Sequence, residues 1–432
     1  MKDLVKKVAV GLATGALVAQ SLVIPSFATI TVVETGNGSG SHNDVDLSHT
    51  NTTVVDQSNT ANISNKIDAK ANSGDNQVKG NTGGDVSIDT GSADSKVAVK
   101  NTVNTNEANV KCGGCPTDVG VQISGNGSDS KNKVGLDLTN TTRVDQTNNA
   151  TIDNKVDAKA NTGKNNAKDN TGGNVSINTG DASAWALVSN KANANVADVG
   201  NGSGNNGSLD LLITGNGSDS KNKIDADLSN STWLAQDNWA DISNDVYVDA
   251  NTGKNKAKDN TGGSASINTG NADSAAKVDN MANFNVAHVE DCCQFDGFIK
   301  EGGNGSDSKN KVDLDLTSVL VDTQHNDFSC GKDSIWSEFD LNWRKNNCND
   351  VNAKSNTGKN KLKDNTSSTH GDPTIDTGNS SNQVEVNNTG NSNVFSTGDI
   401  TNSDTPDWVA QNGSNGSWDW FSWMMAGWSH NG

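Results

Sequence analysis

The chain has 432 residues, a formal net charge of −19, 31% hydrophobic residues and only 4% aromatic ones. So little bulky apolar material excludes a conventional globular core, and so much negative charge excludes a nucleic-acid partner, which needs a basic face. Disorder, the obvious alternative on composition, is opposed by strict periodicity in the sequence.

In chain order, residues 1–28 read as an export signal. Lys2, Lys6 and Lys7 precede an apolar stretch from Val8 to about Val23, and Ser26-Phe27-Ala28 supplies small residues for cleavage. Losing three lysines and one aspartate takes the mature chain from −19 to −21. The mature protein is therefore expected to start near Thr29 and to be secreted, extracellular and associated with the cell surface.

A block of about ninety residues follows four times. Its GNGS opening recurs at 36–39, 125–128, 215–218 and 303–306, at offsets of 89, 90 and 88. The blocks span 29–123, 124–213, 214–302 and 303–400, the fourth being degenerate with an insertion at 331–347, and a tail covers 401–432. From Asn132 to Ala160 every second residue belongs to one class, with Val134, Leu136, Leu138, Val144, Ile152 and Val156 among them. Charged residues such as Lys133, Asp137, Asp145 and Asp153 stand between. A period of two assigns these sets to opposite faces of a sheet, and a fixed long repeat implies stacked units. The expected fold is an all-β, elongated repeat protein, a β-solenoid. The alternative is a row of small antiparallel β units, for which the blocks hold too few large core residues. Asn132, Asn140 and Asn148 recur every eight residues, and Gly163, Gly172 and Gly180 follow. They suggest sides of about eight residues joined at left-handed corners. Polar Asn140, Gln146 and Asn148 on the apolar face are expected to stack in amide ladders.

Six cysteines in an exported chain point to disulfides. Cys330 and Cys348 bracket the insertion, and a bond between them would close it at its neck. Cys112 and Cys115, as CGGC, read as a loop staple, since no second half of a zinc or redox motif accompanies them. Cys292 and Cys293 occupy the corresponding loop two blocks later.

Half of the ten tryptophans fall in the tail, at Trp408, Trp418, Trp420, Trp423 and Trp428. This segment reads either as a cap on the end of the stack or as a contact with a glycan, a membrane interface or another subunit. Trp233 and Trp239 lie on the charged face of the third block.

No catalytic constellation emerges: the aspartates recur as ordinary outward positions and the six histidines are scattered. His288, near Glu290, Asp291, Cys292 and Cys293, is the nearest approach to a metal motif. No cofactor is expected, calcium being the single candidate. GNGSDSKNK resembles the nonapeptide of calcium-binding β-rolls, Gly302–Asp307 most nearly. It departs by occurring once per block and by placing Lys309 where an apolar residue would follow.

In these tandem Asn/Thr/Gly-rich blocks behind a signal, residues 35–400 resemble repetitive bacterial surface proteins, including adhesin-like β-solenoids, and the Gln/Asn spacing is similar to that of curlin-type fibre subunits. The resemblance implies a non-enzymatic structural protein of the surface, a stalk, adhesin or filament subunit that self-assembles or joins a surface structure. The alternative is a glycan- or ice-binding module presenting Thr139, Thr141 and Thr147.

Overall fold

The computed structural model describes residues 5–14, 17–22, 30–110, 118–200, 207–290, 295–330, 348–367 and 371–396. Two strands, β1 (Val5–Thr14) and β2 (Leu17–Leu22), come first. The first block holds β3 (Ile30–Thr35), β4 (His42–Asn72), β5 (Gln77–Lys79), β6 (Val86–Asp89) and β7 (Ala93–Val110). The second has β8 (Asp118–Ser124), β9 (Lys131–Asn161), β10 (Asn166–Lys168), β11 (Val175–Thr179) and β12 (Ala182–Val199). The third has β13 (Gly207–Thr214), β14 (Lys221–Asn251), β15 (Lys256–Lys258), β16 (Thr261–Gly262), β17 (Ala265–Thr269) and β18 (Ala272–Val289). The fourth has β19 (Phe295–Gly302), β20 (Lys309–Ser329), β21 (Asn349–Asn356), β22 (Lys361–Lys363), β23 (Thr366–Ser367), β24 (Thr374–Thr377) and β25 (Ser380–Ser396). Among the described residues there is no helix.

Every strand pairing among these residues is parallel, and each joins a strand to its counterpart in another block. Asp44 lies beside Lys133, Lys133 beside Lys223, and Lys223 beside Lys311, offsets of 89, 90 and 88. The sheets therefore run in block order, for example β20-β14-β9-β4 and β25-β18-β12-β7. A row of separate antiparallel units is overturned, since each block pairs with its neighbours and not within itself. The N-terminal segment joins the same scheme: β1 and β2 pair with β7 from Val5↔Ala93 to Leu22↔Val110, offset 88 throughout.

Within one layer the chain runs out along β9, turns through β10 and β11, and returns along β12. The outgoing strand buries its even-numbered residues from Asn132 to Ala160, Asn140 alone being half-exposed. Val134, Leu136, Leu138, Val144, Ile152 and Val156 are all buried, while Asp153 is exposed. Facing clusters fill the space between: Val156, Ala158 and Ala160 meet Ala182, Ala184 and Val188, and Ala150 and Ile152 meet Ala192. Alanine and valine fill this part of the interior, while leucine, isoleucine and valine of β8 and β13 pack against Val134, Leu136 and Leu138 at the start of β9.

Sides of eight residues with corners at Asn140 and Asn148 are not found. β9 is continuous for 31 residues, and no residue within it has positive φ. Its asparagines stack across layers instead of turning the chain. The left-handed asparagines lie on the returning strands, at Asn104, Asn193, Asn283 and Asn391, with φ of 57–62°. There the run of inward residues changes parity, from Asn190 and Ala192 to Asn193 and Asn195. Glycine is required where layers approach most closely: a Cβ on Gly163 would lie 2.1 Å from the carbonyl oxygen of Gly253.

Cys330 and Cys348 form a disulfide, with their Cα atoms 4.3 Å apart. Before the insertion β20 pairs with β14 at offset 88 (Asp241↔Ser329), and after it β21 pairs at offset 105 (Asn244↔Asn349). The difference equals the seventeen residues 331–347, so the register of the layer is the same before and after them.

Candidate functional site

The most built part of the molecule is its polar interior. In the outgoing sheet Asn148 Nδ2 donates to Asn238 Oδ1 in the next layer (3.1 Å). Across the interior it donates to Asn195 Oδ1 at 2.8 Å. Asn195 Nδ2 in turn donates to Asn238 (3.0 Å) and Asn285 (3.0 Å). The result is a zigzag double ladder in which each amide bridges two layers and two sheets. A second runs through Asn154, Asn190, Asn244 and Asn280. Gln57, Gln146, Gln236 and Gln324 form a third column, each later Nε2 donating to the Oε1 before it at 2.7–2.8 Å. An isolated buried amide would be costly, but stacking like on like satisfies its donors and acceptors.

The outer face is charged and paired. Lys155 reaches Asp245 in the next layer at 2.8 Å, and Lys277 reaches Glu385 at 2.6 Å. Tyr247 lies between Lys159 and Lys354, whose ammonium groups sit 4.9 and 5.0 Å from its ring centre. A shallow groove of about 350 Å³ crosses the layers, lined by Lys131, Lys221 and Lys309 in one column and Lys133, Lys223 and Lys311 in another. Lys133 pairs with Asp46 (3.2 Å) and Asp44 (3.5 Å), and Lys223 with Asp225 (2.7 Å) and Asp313 (3.3 Å). Hydrogen bonds to these aspartates push both ammonium groups above their ordinary pKa.

Of the residues singled out from sequence, Cys330 and Cys348 are brought together. Cys112, Cys115, Cys292, Cys293 and Asp291 lie outside the described residues, as does the whole tail with Trp408, Trp418, Trp420, Trp423 and Trp428. His288 is buried, its Nδ1 2.9 Å from Asp198 Oδ1 and its Nε2 3.8 Å from Glu290. Among the described residues no cluster of three His, Cys, Asp or Glu could hold a metal. The GNGSDSK segment forms a stacked corner: Asn126 Nδ2 donates to Asn216 Oδ1 (3.0 Å), Gly127 N to Asn37 O (2.7 Å) and Asp129 N to Ser218 O (3.0 Å). Its backbone donors hold neighbouring layers. Trp233 is exposed and Trp239 half-buried. Thr139 continues as Thr50, Ser229 and Thr317, but Thr147 gives way to Ser58, Asp237 and His325, so that threonine column is not kept.

Sequence reasoning found the ladder on the outgoing strand and missed its partner on the return. The signal was there, since Asn190, Asn193 and Asn195 recur as Asn280, Asn283 and Asn285. Nothing local showed that they face Asn154 and Asn148. Scans of protein-family models, of curated proteins and of solved structures each found no match, so architecture and side-chain chemistry alone carry the functional reading.

Proposed function

We propose that this chain is a non-enzymatic structural protein of the cell surface, exported by its leader and wound as a β-solenoid of four blocks. The observation that carries this reading is the layer-to-layer matching of residues. Asparagine stacks on asparagine at 59, 148, 238 and 326, and glutamine on glutamine at 57, 146, 236 and 324. Side chains committed to joining layers give mechanical continuity and deny proteases a loose backbone. The paired outer charges keep the surface hydrated, as suits a stalk, adhesin or filament subunit.

Immunolabelling of intact cells, combined with protease treatment of the purified mature chain, tests the proposal. Surface label and a protease-resistant core are expected. Intracellular retention, or rapid digestion across β9 and β14, overturns it. Specific signals on a glycan array, or thermal hysteresis, would replace it with a ligand-binding role.

A further inference from the structure

The two ends of the stack carry the ends of the same residue columns, and the amide and most apolar columns match. Apart from Trp233, every large apolar side chain left exposed among the described residues belongs to an outermost strand. Val45 is on β4, Leu316 and Leu320 on β20, and Val384 and Val386 on β25, each in a column that is buried in the inner blocks. The ladders stop at these strands, and several have one polarity throughout. In the column Asn43, Asn132, Asn222 and Asn310, each Nδ2 donates to the Oδ1 of the next block at 2.7–2.8 Å. One end of such a ladder is a donor and the other an acceptor. A second copy placed on the stack at the block spacing continues the columns: Gln57 meets Gln324, Asn59 meets Asn326, and Asp44 meets Lys311.

One strand position at the block-1 end is already filled. β1 and β2 lie on β7 at offset 88, where the returning strand of a preceding block would lie. They even interrupt their pairing between Thr102 and Thr105, at the left-handed Asn104. These residues belong to the segment read as a cleavable leader. Their layer is the one that β25 of another copy would need.

We infer that copies of this chain stack head to tail, the block-4 end of one on the block-1 end of the next, and that the leader strands hold the block-1 end closed until they are removed. The inference rests on the proposed reading of an exported stack. The occupant of the freed edge is β25 of a second copy, whose Val384 takes the place of Ala9 beside Val97. A head-to-tail contact of this kind is heterologous and open, so it grows into a filament. Exposed parallel edges of such length are templates for that pairing. Several columns oppose the junction: on the outer face Asp46 meets Asp313, Lys70 meets Lys354, Lys79 meets Lys363 and Asp89 meets Asp376, and inside it Asp322 meets Val55. Glu34 and Glu301 occupy the two ends of a column whose inner members are Ile123 and Ile213, and stacking sets these carboxylates side by side. Inward-pointing charge at an edge restrains association, so the contact is moderated rather than indiscriminate.

The test compares the full chain with the chain starting at Thr29, over a range of concentrations, by sedimentation and electron microscopy. The shorter chain is expected to form filaments with a strand repeat of about 4.8 Å along the axis, and the full chain to remain as single copies. In the shorter chain Val384→Lys should raise the assembly threshold at least about tenfold by burying an unpaired charge against Val97. Leu316→Lys, which meets His49 across the junction, should do the same. Both positions are exposed in the single copy, so the β spectrum and melting should be unchanged. Glu34→Gln should lower the threshold. A folded Thr29 chain that stays monomeric, equal assembly by both chains, or lysine variants that assemble as readily, each overturns the inference while leaving the structural role standing. Assembly by residues 29–396 but not by 29–432 would make the tail the occupant of the block-4 end, and overturns it too. Stacking in solution by a protein that cells retain inside would instead sink the surface role and keep the inference.

Discussion

At the scale of single residues, position on the alternating face decides the effect of a change. Ile152 is buried against Ala192, so Ile152→Asp places a charge among Ala150, Ala192, Ala240 and Ile242. A loss of roughly 3–5 kcal/mol is expected, whereas Asp153→Ser, one residue away and exposed, should stay within about 0.5 kcal/mol. Comparable losses in urea denaturation would contradict the faces. Glu34 makes the opposite case. It is 5% exposed, and both carboxylate oxygens lack a hydrogen-bond partner. Burial, and then the charge of Asp44, raises its pKa above the ordinary carboxylate value. The folded state thus holds this proton more tightly than the unfolded one. Its contribution is present below the unfolded pKa and is lost as pH rises through the folded pKa. Glu34→Gln should therefore raise the melting temperature at neutral pH and change it little below about pH 4, where both forms are neutral. An equal shift at both pH values would show that charge is not the cause.

At the scale of elements, the returning strand depends on a bend that the outgoing strand lacks. Asn193 adopts φ 60° within β12, and its amide donates to the carbonyl of Trp239 (2.5 Å) and to Asn283 Oδ1 (3.0 Å). Asn193→Gly keeps the backbone and loses the bonds, at about 1–2 kcal/mol. Asn193→Ala loses both and should cost a further ~1 kcal/mol. If the alanine variant is the more stable of the two, the bend is not what asparagine supplies. The Cys330–Cys348 link shows a related economy. By closing at the edge of β20 and β21 it lets the pairing to β14 resume at Asn349 with the same outer and inner faces.

Across all layers, four strands spaced at about 4.8 Å make a stack only about 14 Å from first strand to last, while a single strand of 31 residues can extend to about 100 Å. The long dimension lies along the strands, and a stalk of any length requires further layers. Stability should also vary along the stack, because inner layers have neighbours on both sides and outer layers on one. Hydrogen exchange is expected to be slowest in β9 and β14 and faster in β4 and β20. Uniform protection in the single copy would contradict a stack of nearest-neighbour layers.

Which residues point inward along β9 is legible in the chain alone, since a period of two follows from the local geometry of an extended chain. So is the register between blocks, because like residues recur at 89, 90 and 88, and so is the neck of the insertion. How far the chain travels before it returns is visible in the fold and not in the chain. The partners of Asn148 lie 47 residues away on the return strand and 90 away in the next layer, and nothing local encodes the first distance. Eight-residue sides would also have satisfied the alternation. The continuous strand prevails because β9 contains no left-handed backbone, which among the described asparagines is confined to Asn193 and its counterparts, so Asn140 and Asn148 remain extended and donate their amides to neighbouring layers.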